Sequence, residues 1–440
     1  MADKADNLLV ALDIGSSKIV CAVAEPIDPQ HFKLIGMEEV VSAGMREGNA
    51  VDMDLLVEVI RAVVTETEKK SGVRIQKVTT GISGISVVSE NTDYMRLIPH
   101  NEIEQRDVDG LIADAQKVPL ASSTMKYIST LPQEFAVDGI WGIKSPVGLA
   151  GSRLDGRLHV VTAKTSSCMS IAKALARSGL ELVNNRLLFN PLASAEAILT
   201  PEERRLGVLM IDIGSSLADV SLYSGDSIRY SKAFRFGGDT ITNDISIQTK
   251  LSTIDAEQFK VNVGMVDFRQ GIDPEQLQSL PEYSGLRNSP RVFSNRALAA
   301  IMEASLEAKF DQIYREIKNR NLTTHLSNGV VISGGSSVIP GLDRLIRRVF
   351  GQHLPEDNMI VRIGYPIVSY PDMKYYAPQS ISMSDHPNQL AYCSKPAYST
   401  VMGYLNDLNR RHWKQSVTSK RKGILGFSVD YIKELFLRTF

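Results

Sequence analysis

Two segments of this chain repeat one physical pattern: an apolar run breaks into Asp-x-Gly-Ser-Ser and then resumes as a second, largely apolar run. The first is Leu8-Leu9-Val10-Ala11-Leu12-Asp13-Ile14-Gly15-Ser16-Ser17, continuing into Lys18-Ile19-Val20-Cys21-Ala22-Val23. The second is Gly207-Val208-Leu209-Met210-Ile211-Asp212-Ile213-Gly214-Ser215-Ser216, continuing through Asp219 into Val220-Ser221-Leu222-Tyr223. Short apolar runs rich in β-branched residues and joined by a glycine turn predict a β-hairpin in each place. A repeated supersecondary unit points to two lobes of related topology. A third strand-like run, Gly329-Val330-Val331-Ile332-Ser333, ends in another glycine turn, Gly334-Gly335-Ser336, and Pro340-Gly341-Leu342 opens the helix after it.

The intervening sequence is mixed α/β. Residues 51–70 carry apolar side chains at helical spacing (Leu55, Val59, Ala62, Val63), and 169–178 read as a helix stopped by Gly179. From 83 to 163, short strand-like runs alternate with polar turns, as in an inserted module. Ser294 is placed to cap a long helix with the stripe Leu298, Ile301, Met302, Leu306, Phe310, Ile313, Ile317, a pattern that reads as core packing. Residues 378–390 read as a loop and 397–405 as a closing helix. The polar, basic stretch 406–422 reads as a flexible linker before a terminal apolar segment, 423–440.

Composition excludes several classes. The 440 residues are 43% apolar and 22% charged with a formal net charge of −1, which gives no global attraction to nucleic acid. Cys21, Cys168 and Cys393 lie too far apart for a CxxC motif; Cys21 and Cys168 read as inert buried thiols, and this usage fits a reducing cytoplasm. No secretory leader is read at the N-terminus, and no run reaches the roughly 18 apolar residues of a spanning helix. The histidines suggest no catalytic pairing, and His159, in an apolar run, reads as a core or sheet residue. Arg204-Arg205 and Arg347-Arg348 read as solvated faces.

The glycine turns carry the chemistry. Glycine lets the backbone approach a polyphosphate closely, and the exposed N–H groups of such turns form an anion-binding concavity to which Ser hydroxyls add donors. Asp13 and Asp212, at strand ends, repel phosphate directly, so their reading is to hold Mg²⁺ through water. Lys18 is suited to neutralising β- or γ-phosphate charge. One such turn is usually an ordinary hairpin; two in matching contexts and a third at 334–336 point to a nucleotide.

These three segments resemble the phosphate-1, phosphate-2 and adenosine motifs of the superfamily of actin, heat-shock chaperones and sugar kinases. Within it the chain resembles the bacterial cell-division FtsA family, through Ser42-Ala43-Gly44-Met45-Arg46-Glu47-Gly48, Pro132-Gln133-Glu134-Phe135-Ala136-Val137-Asp138, Asn190-Pro191-Leu192-Ala193-Ser194-Ala195 and Asp255-Ala256-Glu257. The resemblance implies an α/β, actin-like two-lobed ATPase fold of duplicated ribonuclease-H-like domains with an FtsA-type inserted subdomain and a C-terminal amphipathic helix. Subdomain 1A would comprise 6–82, 164–204 and 378–405; the self-associating insert 1C, 83–163; 2A, 205–240 and 320–377; and 2B, 241–319. It also implies ATP and Mg²⁺ as cofactors. Asp13, Gly15, Ser16, Ser17 and Lys18 would form the first phosphate loop, and Asp212, Gly214, Ser215 and Ser216 the second. Gly237 and Gly238 would flank the nucleotide, Gly334, Gly335 and Ser336 would form the adenosine loop, and Glu257 and Lys260 would touch ribose and base. A solvated i,i+3 pair is the lesser alternative for the last two.

One departure stands out. The family's second loop usually reads Asp-Ile-Gly-Gly-Gly-Thr; here Ser215, Ser216 and Leu217 replace the last three residues, so slow hydrolysis, or none, is expected. Further implied are partners: the C-terminal peptide of the tubulin-like protein FtsZ, other division proteins, and a second copy of the chain in a filament. The tail carries Leu425, Phe427, Val429, Ile432, Leu435, Phe436 and Phe440, most of them recurring on one helical face, preceded by Arg410, Arg411, Lys414, Lys420, Arg421 and Lys422. That combination suits anionic lipid of the inner membrane at the division septum, on its cytoplasmic side. A tail helix docked on the protein's own core is the plain alternative. Two other functions share the superfamily: a type IV pilus assembly scaffold, and a metabolic kinase for which Asp219 is the available catalytic carboxylate. Neither is expected to carry such a tail.

Overall fold

The computed structural model describes residues 8–117, 124–267, 277–279, 292–352, 359–367 and 395–421. Both sequence-predicted hairpins form. Strand Leu9–Ile14 pairs antiparallel with Lys18–Pro26, which pairs in turn with Phe32–Val41. Strand Val208–Ile213 pairs antiparallel with Ala218–Ser224, and Ala218–Ser224 with Ser227–Phe234. Each meander is then extended in parallel from its first strand. In the first lobe Leu12 N donates to Thr79 O (2.8 Å) and Thr79 N to Val10 O (2.9 Å). In the second lobe Val330–Ser333 and Val361–Ile363 complete a five-stranded sheet. All four residues of Val330–Ser333 are buried, as a strand covered on both faces requires.

Strand Val208–Ile213 divides the interior. Successive side chains of a strand point to opposite faces. Val208 and Met210 accordingly join the first large apolar core, while Leu209, Ile211 and Ile213 join the second. One six-residue strand therefore stitches both lobes together.

Helices cover the sheets for local reasons visible in the sequence. In helix Met53–Ser71, Asp52 caps the start by accepting from the N–H groups of Asp54 and Leu55, both at 3.1 Å. Gly72, at φ 71°, ends it in the left-handed conformation that glycine adopts without a Cβ penalty. Its Leu56, Ile60, Val63 and Thr67 face the first core. In helix Asn295–Asn319, Ser294 Oγ accepts from Ala297 N at 3.2 Å, and Leu298, Met302, Leu306, Phe310, Ile313 and Ile317 are buried as the stripe predicts. Phe310 meets Phe236 edge-on at 5.9 Å between ring centres, so Phe310→Ala is expected to cost about 3–5 kcal/mol.

The insert is a four-stranded antiparallel sheet in the order Ile140–Ile143, Met125–Val137, Arg153–Lys164, Val87–Leu97, with helix Gln105–Lys117 packed on it. It has its own small cores. Its polar face abuts strand Ser227–Phe234. His159 bonds Asn91 Oδ1 through Nδ1 (2.7 Å) and Ser231 Oγ through Nε2 (2.9 Å), and Gln133 Nε2 donates to Ile228 O (2.6 Å). Burial pushes the His159 imidazole down to about 4, so it is a neutral, satisfied sheet residue as the sequence suggests. Cys21 and Cys168 are buried free thiols, also as expected.

Two expectations are corrected. Residues 406–421 are not a linker: they continue helix Ser399–Arg421. The cause lies in tertiary contacts that a polar composition conceals. Leu405 and Leu408 pack on the first core, Asn409 Nδ2 donates to Asp28 O (2.8 Å), and Arg410 pairs with Glu196 (2.7 Å). Nor is Arg204 solvated: it is largely buried and pairs with the same Glu196 at 2.8 Å. Against the effect of burial, Arg204 and Arg410 hold the Glu196 carboxyl down to about 2. Residue 422, the tail 423–440 with its seven apolar positions, the loop 378–390 and Cys393 lie outside the described residues.

Candidate functional site

The two hairpin turns face each other across a cleft of about 1270 Å³, ample for a nucleotide-sized ligand. Their closures match. Gly15 N donates to Lys18 O at 3.0 Å, and Gly214 N donates to Leu217 O at 2.8 Å. A Cβ on Gly15 would lie 2.7 Å from Lys18 O, so the first turn admits only glycine there. Ser16 and Ser17, and Ser215 and Ser216, line the cleft beside these turns.

The remaining predicted loops converge on the second turn. Gly238 N donates to Gly214 O (3.0 Å) and Asp239 N to Ser215 O (2.7 Å). A Cβ on Gly237 would stand 2.5 Å from both of those carbonyl oxygens. Helix Gly238–Thr249 thus starts against the turn, with its positive end at the cleft. Gly334 adopts φ 84°, and a Cβ there would meet Asp212 Oδ1 at 2.4 Å. Ser336 Oγ donates to Gly214 O at 3.0 Å, and Gly335 lines the opening.

Glu257 and Lys260 are not a solvated pair. Lys260 is almost wholly covered, and its ammonium donates to Gly238 O (3.1 Å), Thr242 Oγ1 (2.9 Å) and Glu257 Oε2 (2.7 Å). It ties helix Thr253–Val263 to the glycine turn. Lys18 lines the cleft, but its ammonium is turned to Glu39 (2.7 Å) and lies 3.8 Å from the Tyr398 ring centre.

The floor is electrostatically unusual. Burial pushes the Asp13 carboxyl up to about 7, the Asp212 charge adding to it and Lys18 opposing. Burial likewise raises Asp219 to about 7, against a hydrogen bond from Ser83 and with further repulsion from Asp212 and Asp13. Asp212 is raised too, by burial, although Ser194 (2.6 Å) and Ser399 (3.3 Å) donate to it. Three mutually repelling carboxyls at one floor are the donor set a hard cation satisfies. Among the described residues no three His, Cys, Asp or Glu groups converge closely enough to ligate a metal directly.

Sequence reasoning missed several cleft residues. Ile254 (73% exposed) and Val261 (69%) stand on the open face of helix Thr253–Val263, and Val338 (54%) also lines the cleft. Their signal was present: Ile254 and Val261 share a face opposite the buried Ala256 and Phe259. Ser83 and Arg235 come from distant segments with no motif of their own.

Comparison with known proteins agrees with this architecture. A family model described as "Cell division protein FtsA" matches residues 209–403, and one described as "SHS2 domain inserted in FTSA" matches 84–162. The chain is 31% identical over 367 residues to the cell division protein FtsA of Borreliella burgdorferi, covering 82% of this chain and 85% of that one. The chain belongs to the FtsA family. It is also similar to the FtsA of Escherichia coli K12, at 28% identity over 407 residues, 91% of this chain and 90% of that one. Two solved structures share the fold. The PilM–PilN type IV pilus biogenesis complex aligns with TM-score 0.63 and 16% identity, covering 91% of this chain and 98% of that one. MreB5 of Spiroplasma citri bound to ADP aligns with TM-score 0.53 and 11% identity, covering 94% and 98%. The fold is therefore actin-like, and the segment 84–162 matches the domain inserted in FtsA.

Proposed function

We propose that this FtsA-family, actin-like cell-division protein binds Mg·ATP in the cleft, polymerises on the cytoplasmic face of the inner membrane, and tethers FtsZ filaments there. The observation that carries the nucleotide reading is the convergence of three glycine turns around Asp13 and Asp212. Gly15–Lys18 and Gly214–Ser216 offer backbone N–H and hydroxyl donors to a phosphate chain. Ile254, Val261 and Val338 offer apolar surface to the base, with Glu257 and Lys260 beside the ribose. Lys18 exchanges Glu39 for phosphate. Asp13 and Asp212 would hold Mg²⁺ through water, and the cation would supply charge neutralisation at the phosphates. MreB5, whose fold this chain shares, is described bound to ADP.

Hydrolysis is expected to be slow. Leu217 and the two serines replace the glycines and threonine usual in the second loop, and the Leu217 side chain reaches Gly84 across the cleft instead of offering a hydroxyl. Nucleotide then acts as a switch for assembly. A kcat of several per second would remove that reading.

Self-association is assigned to the insert, the FtsZ C-terminal peptide to the region 241–319, and membrane attachment to 423–440. No helix among the described residues is long and apolar enough to cross a membrane; the attachment is assigned to the tail on the apolar spacing of its sequence. Sedimentation with anionic vesicles tests this, using the full chain and a 1–422 truncation, each with and without Mg·ATP. Pelleting of the full chain alone supports the tether. Equal behaviour of the two chains sends the tail back to a docked role and revives the pilus-scaffold alternative.

A further inference from the structure

Arg235 and Glu47 approach each other from opposite walls of the cleft. Glu47 and Gly48 form the tip of a two-residue hairpin between Met45–Arg46 and Asn49–Ala50, with φ of 49° and 74°. Left-handed values at both positions define the tight turn type that twists with its strands. The tip is braced: a Cβ on Gly48 would lie 2.4 Å from Ser83 O. Arg235 precedes the glycine turn Gly237–Gly238 at the end of strand Ser227–Phe234. Its guanidinium meets the Glu47 carboxylate at 3.3 Å, with the two side chains 65% and 38% exposed.

The position along the cleft matters. The second turn begins at Gly214, which is touched by Gly238 and by Ser336 of the adenosine loop. It ends at Leu217, whose side chain reaches Gly84 beside Glu47. A phosphate chain laid along this turn from the adenosine end directs its last group toward Leu217, and there Arg235 and Glu47 stand. The turn has lost flexibility and a hydroxyl donor at that end, so a mobile cation close by has a role to fill.

We propose that Arg235 is a specificity-determining residue that distinguishes a nucleoside triphosphate from a diphosphate, and that Glu47 is its competitor in the nucleotide-free protein. This rests on the nucleotide reading above. An exposed single-contact ion pair contributes little, whereas a guanidinium on a terminal phosphate makes forked, charge-assisted bonds. Arg235 therefore leaves Glu47 when a γ-phosphate is present and keeps it when the chain ends at β. Releasing Glu47 uncouples the hairpin tip of the first lobe from the second. The identity of the last phosphate thus becomes a change in contact between lobes.

The test is calorimetric titration of the full chain with Mg·AMPPNP and with Mg·ADP. Arg235→Ala is expected to weaken AMPPNP about tenfold and to leave ADP unchanged, and Arg235→Lys to recover part of the loss, since lysine keeps charge without the fork. Glu47→Gln is expected to tighten AMPPNP about threefold, with ADP unchanged, because the competing charge is gone. Equal weakening of both nucleotides by Arg235→Ala, or no weakening of either, overturns the proposal. So does a Glu47→Gln variant with unaltered AMPPNP affinity. If the unsubstituted chain binds neither nucleotide, the nucleotide reading itself fails, an outcome distinct from selective failure of the variants. Both side chains are exposed, so the nucleotide-free melting temperatures should match and exclude misfolding.

Discussion

The hydroxyl of Ser194 donates to Asp212 Oδ2 at 2.6 Å. Ser194 lies on helix Asn190–Ile198, packed against the first core, while Asp212 is the penultimate residue of the central strand of the second lobe. The bond gives the Asn190-Pro191-Leu192-Ala193-Ser194-Ala195 segment a physical role: it opposes the rise that burial imposes on a carboxyl at the cleft floor. Ser194→Ala should raise the Asp212 pKa further and weaken Mg·nucleotide binding more at the lower of two pH values. Titrations at both pH values check it.

The stability that Asp13 and Asp219 contribute to the nucleotide-free protein should fall between about pH 4 and pH 7 and then level off, with His159, held neutral by burial, offsetting part of the fall. The sign follows from Asp13 and Asp219, whose folded values of about 7 exceed the ordinary 3.8. In that window the folded state holds protons that the unfolded chain has released, so raising the pH favours unfolding. Asp13→Asn should lift the melting temperature at pH 8 by about 2 °C or more while abolishing the added stability from Mg·ATP. Differential scanning fluorimetry across pH reads both effects.

Lys260→Ala should cost stability and affinity together. It removes the Lys260 bonds to Gly238 O and Thr242 Oγ1, and although Gly238 O keeps the Thr242 hydroxyl, a lost hydrogen bond from a charged donor costs about 1.5–3 kcal/mol. Nucleotide affinity is expected to drop about tenfold or more through the displaced glycine turn. Urea unfolding and titration separate the two.

Gly334→Ala should eliminate nucleotide binding. Its φ of 84° disfavours any Cβ, at a cost of about 1–3 kcal/mol, and that Cβ would press on Asp212 Oδ1. Loss of titration heat with retained far-ultraviolet circular dichroism is the expected pair of results.

Glu196→Ala should be among the more damaging single changes outside the cleft. It leaves Arg204 and Arg410 without their shared carboxylate, and breaking a buried ionic group costs about 3–5 kcal/mol, less here because Arg410 is partly exposed. With the Glu196 carboxyl at about 2 against an ordinary 4.5, its contribution is present above pH 4.5 and lost as pH falls toward 2. Truncation at residue 405 should be similarly harmful, since it removes Leu408, Asn409 and Arg410. Chemical denaturation of both variants checks these expectations.

The sequence by itself determined the two hairpins, the glycine turns and the long capped helices. Their causes are local: strand period, glycine freedom, a serine or aspartate cap, and a helical apolar stripe. The pairing of two such hairpins was enough to imply a cleft that grips phosphate. Only the tertiary structure decided what depends on segments distant in the chain. Helix Ser399–Arg421 extends through a polar stretch because Asp28 and Glu196 receive Asn409 and Arg410. Lys260 is a buried tie rather than a solvated pair because Gly238 O and Thr242 Oγ1 lie beneath it. The raised carboxyls of Asp13 and Asp219 arise because folding brings them, with Asp212, to one poorly solvated floor, and no reading of neighbours along the chain contains that charge repulsion.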